Sequence, residues 1–110
     1  MTEDAFLELA WRASNHVERF IPREEWNGVS ATGVRALSAI AHEGQPSVAE
    51  LSALLQRSQP TVSEVCALLR KRGLIRRAPG PDRRESRHVV TPDGRRLLLS
   101  LHRDRLNAAA

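Results

Sequence analysis

Along this 110-residue chain the apolar positions recur mostly every three or four residues. They switch once to a short alternating stretch, then return to helical spacing. Phe6, Ala10, Ala13, Val17 and Phe20 predict a first helix over 3–21, closed by Pro22. Leu7 and Trp11 widen its apolar face, which suits either core packing or a dimer seam. A loop with Trp26 and Gly28 follows, with Trp26 read as a plug over the core. Ser30 then offers an N-cap for a second helix over Ala31–Glu43, ended by Gly44, with Val34, Leu37, Ile40 and Ala41 as its buried stripe.

Ser47-Val48-Ala49-Glu50 fits a capping box, in which Ser47 and Glu50 bond each other's backbone N–H groups. Val48, Leu51, Leu54 and Leu55 form the apolar face of that third helix. A fourth starts near Ser58 with Pro60 in its first turn, where the missing N–H is harmless, and Gly73 ends it. The intervening Gln56-Arg57-Ser58 makes the pair a helix-turn-helix candidate. Leu74–Arg77 and Arg87–Val90 then read as two strands around the turn-forming Ala78-Pro79-Gly80-Pro81-Asp82. Thr91-Pro92 opens a last helix over 92–107, lined by Leu97, Leu98, Leu101 and Leu106. The predicted fold class is mainly α with a small β-hairpin wing: a winged helix-turn-helix. It forms a single domain over 1–110, with an N-terminal helix (3–21), a core (31–91) and a C-terminal helix (92–107).

Charge sharpens this picture. Residues 1–56 carry four basic and eight acidic side chains, whereas residues 57–110 carry thirteen basic and five acidic. Arg70–Arg87 alone holds eight basic and two acidic residues, a local patch suited to a polyanion such as DNA, RNA or anionic lipid, or simply a solvated basic face. Composition adds exclusions. No apolar run reaches the roughly 18 residues of a membrane span, so no membrane association is expected. The acidic start lacks a signal peptide's basic n-region. One cysteine permits no internal disulfide or cysteine zinc cluster, and the expected location is cytoplasmic.

On the fourth helix Val62, Val65, Cys66 and Leu69 share the face that packs inward. The opposite side presents Pro60, Ser63, Glu64, Ala67 and Lys71, flanked by Thr61 and Arg70. A recognition helix brings its N-terminal residues to base edges in the major groove, where small polar side chains allow close approach. Ser58, Gln59, Thr61 and Ser63 are therefore the candidate DNA contacts, Gln59 being suited to a bidentate bond with adenine. Glu64 is read as a brace for Arg57 or Lys71 in preference to a cytosine contact. In the wing, Arg83, Arg84 and Arg87 suit the backbone or the minor groove, and Asp82 is the brace that fixes an Arg side chain. Arg70 completes the basic set. Cys66 reads as a small core residue. His16, His42, His88 and His102 lack metal-ligand spacing, and no nucleophile–base pair or phosphate loop is present, so neither metal, cofactor nor enzymatic activity is expected.

In order, Leu51-Ser52-Ala53-Leu54-Leu55, Ser58–Ser63, Leu68–Arg77, Asp82-Arg83-Arg84 and Val90-Thr91-Pro92-Asp93-Gly94 resemble the MarR family of bacterial transcriptional regulators. Ser30–Gly44 resembles the family's preceding helix, so the likeness spans about two-thirds of the chain. The resemblance implies a two-fold homodimer on a pseudo-palindromic operator. It implies Thr61 and Ser63 in the major groove, and Arg84, the second Arg of the Asp-x-Arg motif, in the wing, with Arg83 a candidate to share that role. It also implies a repressor, with a small phenolic or other aromatic molecule as a possible effector. Relatives usually dimerise through terminal helices, with a long helix after the wing and another beyond it. Here nineteen residues follow Thr91, so the expected seam is a shortened one, made by the N- and C-terminal helices. A different class of function is a winged helix that docks on another regulator as a protein-interaction module. The acidic first half favours that alternative and the Arg-rich wing opposes it.

Overall fold

The computed structural model describes residues 2, 3 and 5, residues 29–78 and residues 87–109. Among the described residues, four helices and one hairpin follow in the order α1 (Ala31–Glu43), α2 (Val48–Leu55), α3 (Gln59–Lys71), β1 (Ile75–Arg77), β2 (His88–Val90) and α4 (Pro92–Ala109). Most of the expected N-terminal helix over 3–21, with Phe6, Leu7, Ala10, Trp11, Ala13, Val17 and Phe20, lies outside the described residues, as do Trp26 and the wing tip over 79–86.

Each helix start follows from its capping residue. Ser30, Ser47 and Ser58 all adopt extended backbone and accept from the N–H three residues on: Gly33, Glu50 and Thr61 respectively. The capping box at Ser47 differs from expectation in one leg. The Glu50 carboxylate meets the Ser47 hydroxyl (3.3 Å) and Arg87 Nη1 (3.3 Å), because the returning wing strand brings a cation beside it. The turn between α2 and α3 is closed by Gln56 in the left-handed region (φ 53°), a conformation that a non-glycine residue rarely adopts. Arg57 N–H bonds Ser52 O (3.2 Å), and the Ser52 hydroxyl donates to Arg57 O, which holds that turn.

The core joins Val34, Leu37 and Ile40 of α1 to Leu51 and Leu55 of α2, Val62, Cys66 and Leu69 of α3, Leu74 and Ile75, and Leu98 and Leu101 of α4. Helix α1 is buried more widely than its predicted stripe: Gly33, Ala36, Ser38 and Ala39 are also buried. It packs against α2, α3, β2 and α4 at once, and small residues let those neighbours approach. Leu54, expected inside, is 38% exposed, because Val48, Leu51 and Leu55 already fill the side of α2 that meets α1 and α3.

The hairpin is antiparallel, with Ile75 opposite Val90, Arg76 opposite Val89 and Arg77 opposite His88. Each strand is one residue shorter than expected. Thr91 fastens the hairpin to α4. Its N–H bonds Leu74 O (3.0 Å), its hydroxyl donates to Gly73 O (2.6 Å), and the same oxygen accepts from Gly94 N–H (3.1 Å). The helix start is pressed so closely onto the hairpin that a β-carbon on Gly94 would overlap the Leu74 carbonyl. Helix α4 runs two residues beyond its expected end at 107.

Candidate nucleic-acid interface

Helix α3 divides cleanly. Val62, Cys66 and Leu69 are buried and Val65 is half-buried against the core. Ser58, Gln59, Pro60, Thr61, Ser63, Glu64, Ala67 and Lys71 are exposed. Four of the expected base-reading residues, Ser58, Gln59, Thr61 and Ser63, thus lie together on the open first turns of one helix. Three of them carry hydroxyls and the fourth an amide, so the surface offers both donors and acceptors to base edges. Ser58 Oγ also donates to Thr61 Oγ1 (2.9 Å), orienting the two hydroxyls. Helix N-termini add unpaired N–H groups that favour phosphate.

Glu64 is exposed and makes no ion pair among the described residues. The expected brace fails for reasons of distance. Lys71 is seven residues further along the same helix, ~10 Å of rise away, and Arg57 lies in the turn before the Ser58 cap. Arg57 instead donates from Nη1 to Gln56 O (3.4 Å).

The two remaining described cations of the candidate set are held at the root of the wing. Arg70, near the end of α3, lies 2.8 Å from His88 Nε2 through its Nη1. Arg87 donates from Nη1 to Gln45 O (2.8 Å) and pairs with Glu50. Ala78 N–H bonds Arg87 O (2.9 Å) and His88 N–H bonds Pro46 O (3.2 Å), and Ser47 and Arg87 form a single antiparallel bridge. The wing root is therefore tied both to α3 and to the turn between α1 and α2. Asp82, Arg83 and Arg84 lie outside the described residues.

His88 is a functional candidate that residue spacing alone did not single out. It is fully buried, and burial first, then the Arg70 and Arg77 cations, hold its pKa below the ordinary 6.5. The signal was present in strand alternation: His88 and Val90 point to the same side of β2, and Val90 faces the core. Cys66 is also fully buried. Burial pushes its thiol upward in pKa, with Arg70 opposing in part, which is the setting of a core residue and not of a reactive thiolate. Among the described residues no three His, Cys, Asp or Glu side chains gather as a metal site. None of the described helices is long and apolar enough to cross a membrane.

A family model described as MarR family matches residues 27–85, more than half of the chain, and spans α1 to the wing. The chain belongs to the MarR family. Its winged helix-turn-helix is shared by solved relatives. The RV1404 structure from Mycobacterium tuberculosis superposes with a TM-score of 0.76 at 20% identity, over 99% of this chain and 77% of that one. The transcriptional regulator BldR from Sulfolobus solfataricus gives 0.70 at 23% identity, over 93% and 74%. MepR from S. aureus, solved as a complex with DNA, gives 0.66 at 22% identity, over 93% and 78%. No functionally curated protein matches the chain in sequence.

Proposed function

We propose that this MarR-family member is a sequence-specific double-stranded DNA-binding regulator. In this reading it acts as a homodimeric repressor on a pseudo-palindromic operator. The observation that carries the reading is the exposed first half of α3, where Ser58, Gln59, Thr61 and Ser63 stand clear of the core on a helix otherwise fixed by it. MepR, a relative of the same fold, is solved bound to DNA. Helix α3 enters the major groove, and Arg83 and Arg84 of the wing meet the adjacent backbone or minor groove.

The homodimer forms through the N-terminal segment and α4. The 2.6 Å ion pair between Glu3 and Arg95 Nε sets the start of the chain beside α4 within one protomer, so the two segments can offer one continuous seam. A small-molecule effector belongs to the same reading and lowers operator affinity when it binds.

The test is selection of bound genomic fragments at physiological salt, followed by sequencing. Enrichment of a common inverted repeat is the expected result, whereas fragments without a shared sequence contradict the reading. Light scattering at micromolar concentration should give the dimer mass. Arg84→Ala should reduce the slope of log affinity against log salt by about one.

A further inference from the structure

Among the contacts between α3 and the wing root, that of Arg70 with His88 has its chemistry fixed by its partners. Arg70 Nη1 lies 2.8 Å from His88 Nε2. A guanidinium can only donate, so Nε2 must accept and the ring must be neutral, carrying its proton on Nδ1. That Nδ1 is buried and has no hydrogen-bond partner among the described residues. A second proton can enter the ring only at Nε2, the atom that accepts from Arg70. Once protonated, the ring and the guanidinium are two cations with a hydrogen on each facing nitrogen, and the contact breaks.

We propose that Arg70 is a positioning residue for the wing: its guanidinium, donating to neutral His88, latches the wing root to the recognition helix, and the latch opens when the ring takes a second proton. The proposal rests on the reading of α3 as the DNA-reading helix. It moves Arg70 from the DNA-contacting set to the group that sets the angle between helix and wing.

The surroundings agree. His88 opens β2 and stands opposite Arg77 of β1, and the segment carrying Arg83 and Arg84 springs from Ala78 and Arg87 directly beside it. The charges that act on the ring are the two cations, Arg70 from α3 and Arg77 from β1. Helix α1, which also packs on β2, carries Arg35, His42 and Glu43, and α4 begins with Asp93, Arg95 and Arg96. The acidic group at the wing root, Glu50, is engaged by Arg87. Cys66 sits one turn before Arg70 and is buried.

The experiment is a double-mutant cycle on the selected operator, read at pH 7.5 and pH 5.5. Arg70→Met and His88→Ala should each lower affinity at pH 7.5 by about tenfold, as for loss of one charge-assisted hydrogen bond, and the double variant should lose no more than either single one. His88→Gln keeps an acceptor in place of Nε2 and cannot titrate. It should restore affinity at pH 7.5 and hold it at pH 5.5, where the wild type weakens relative to it. If Arg70 touches DNA directly, His88→Ala leaves affinity unchanged while Arg70→Met lowers it, and the proposal is overturned. It is equally overturned by equal pH profiles for wild type and His88→Gln.

Should these variants fail to fold, nitrogen NMR of the wild-type ring decides. A bare Nε2 at pH 7, with the Ala78 and Arg87 amides shifting together with ring protonation below pH 6.5, supports the latch. A proton on Nε2 at pH 7 ends it. Were the wild type to bind no DNA, the DNA reading alone would fail, and the same NMR titration would still decide whether the latch exists.

Discussion

Helices α1 and α3 are built alike and used in opposite ways. Each has 13 residues, and each begins at an extended serine that accepts from the N–H three residues on. Helix α1 is walled in. Gly33, Val34, Ala36, Leu37, Ser38, Ala39 and Ile40 are all buried, and its small residues receive α2, α3, β2 and α4. Helix α3 buries only Val62, Cys66 and Leu69 fully and leaves Ser58, Gln59, Thr61 and Ser63 open. The difference shows that a shared local device, the serine cap, says where a helix starts. What the helix is for is decided by which of its sides the rest of the chain leaves uncovered.

The largest effects are expected in α1. Leu37 is completely buried, so Leu37→Ala should cost about 2–5 kcal/mol through lost burial and a residual cavity. Urea unfolding measures it, and a loss under about 1 kcal/mol would mean that α1 is not the central helix of the core. Next comes the joint that positions both wing and α4. Gly94→Ala forces a β-carbon into the Leu74 carbonyl and should cost about 1–3 kcal/mol or more, seen as a lowered unfolding midpoint.

In α3 the effects should move from stability to binding. Ser63→Ala removes an exposed hydroxyl, so stability should stay within about 0.5 kcal/mol. Operator affinity should nevertheless fall by about 1–3 kcal/mol if Ser63 reads a base. A variant with unaltered affinity would remove Ser63 from the interface. The serine caps then separate the two helices directly. Ser30→Ala and Ser58→Ala should each cost about 1 kcal/mol of stability, and only Ser58→Ala should weaken DNA binding beyond that loss.

The smallest expected effect concerns pH. The folded state lowers the His88 pKa, so as pH falls through 6.5 the unfolded chain takes up a proton that the folded chain resists. The stability contributed by neutral His88 is therefore present above pH 6.5 and is lost as pH falls below it toward the folded-state value. The slope in that window should stay below about 1.4 kcal/mol per pH unit, and His88→Gln should flatten it. Thermal melts between pH 7.5 and 5 would show this, and an equal slope in the variant would dissociate it from His88.

Much of the fold was legible because its signals are local. Ser30, Ser47, Ser58, Gly44 and Gly73 mark helix ends through backbone hydrogen bonding and positive φ, and the helical spacing of Val62, Cys66 and Leu69 alone orients α3. What was not legible depended on chain segments far apart in sequence. The exposure of Leu54 depends on how α2 meets α1 and α3. The attachment of Arg87 to Gln45 O crosses 42 residues, and that of Arg70 to His88 crosses 18. Charge density places both arginines in the DNA-contacting set, and it carries no information about the partners each also has within the chain. The small polar positions of α3 were easier, since nothing in the core competes for them.

In the proposed function the open face of α3 reads a specific duplex sequence. The deciding measurement is wild-type affinity, at physiological salt, for the selected operator and for a scrambled duplex of the same composition, alongside Gln59→Ala. The wild type should prefer the operator by about 10³-fold or more, and Gln59→Ala should shrink this ratio by about tenfold or more while leaving scrambled-duplex binding unchanged. Equal affinity of the wild type for both duplexes, or a ratio untouched in the variant, would contradict it.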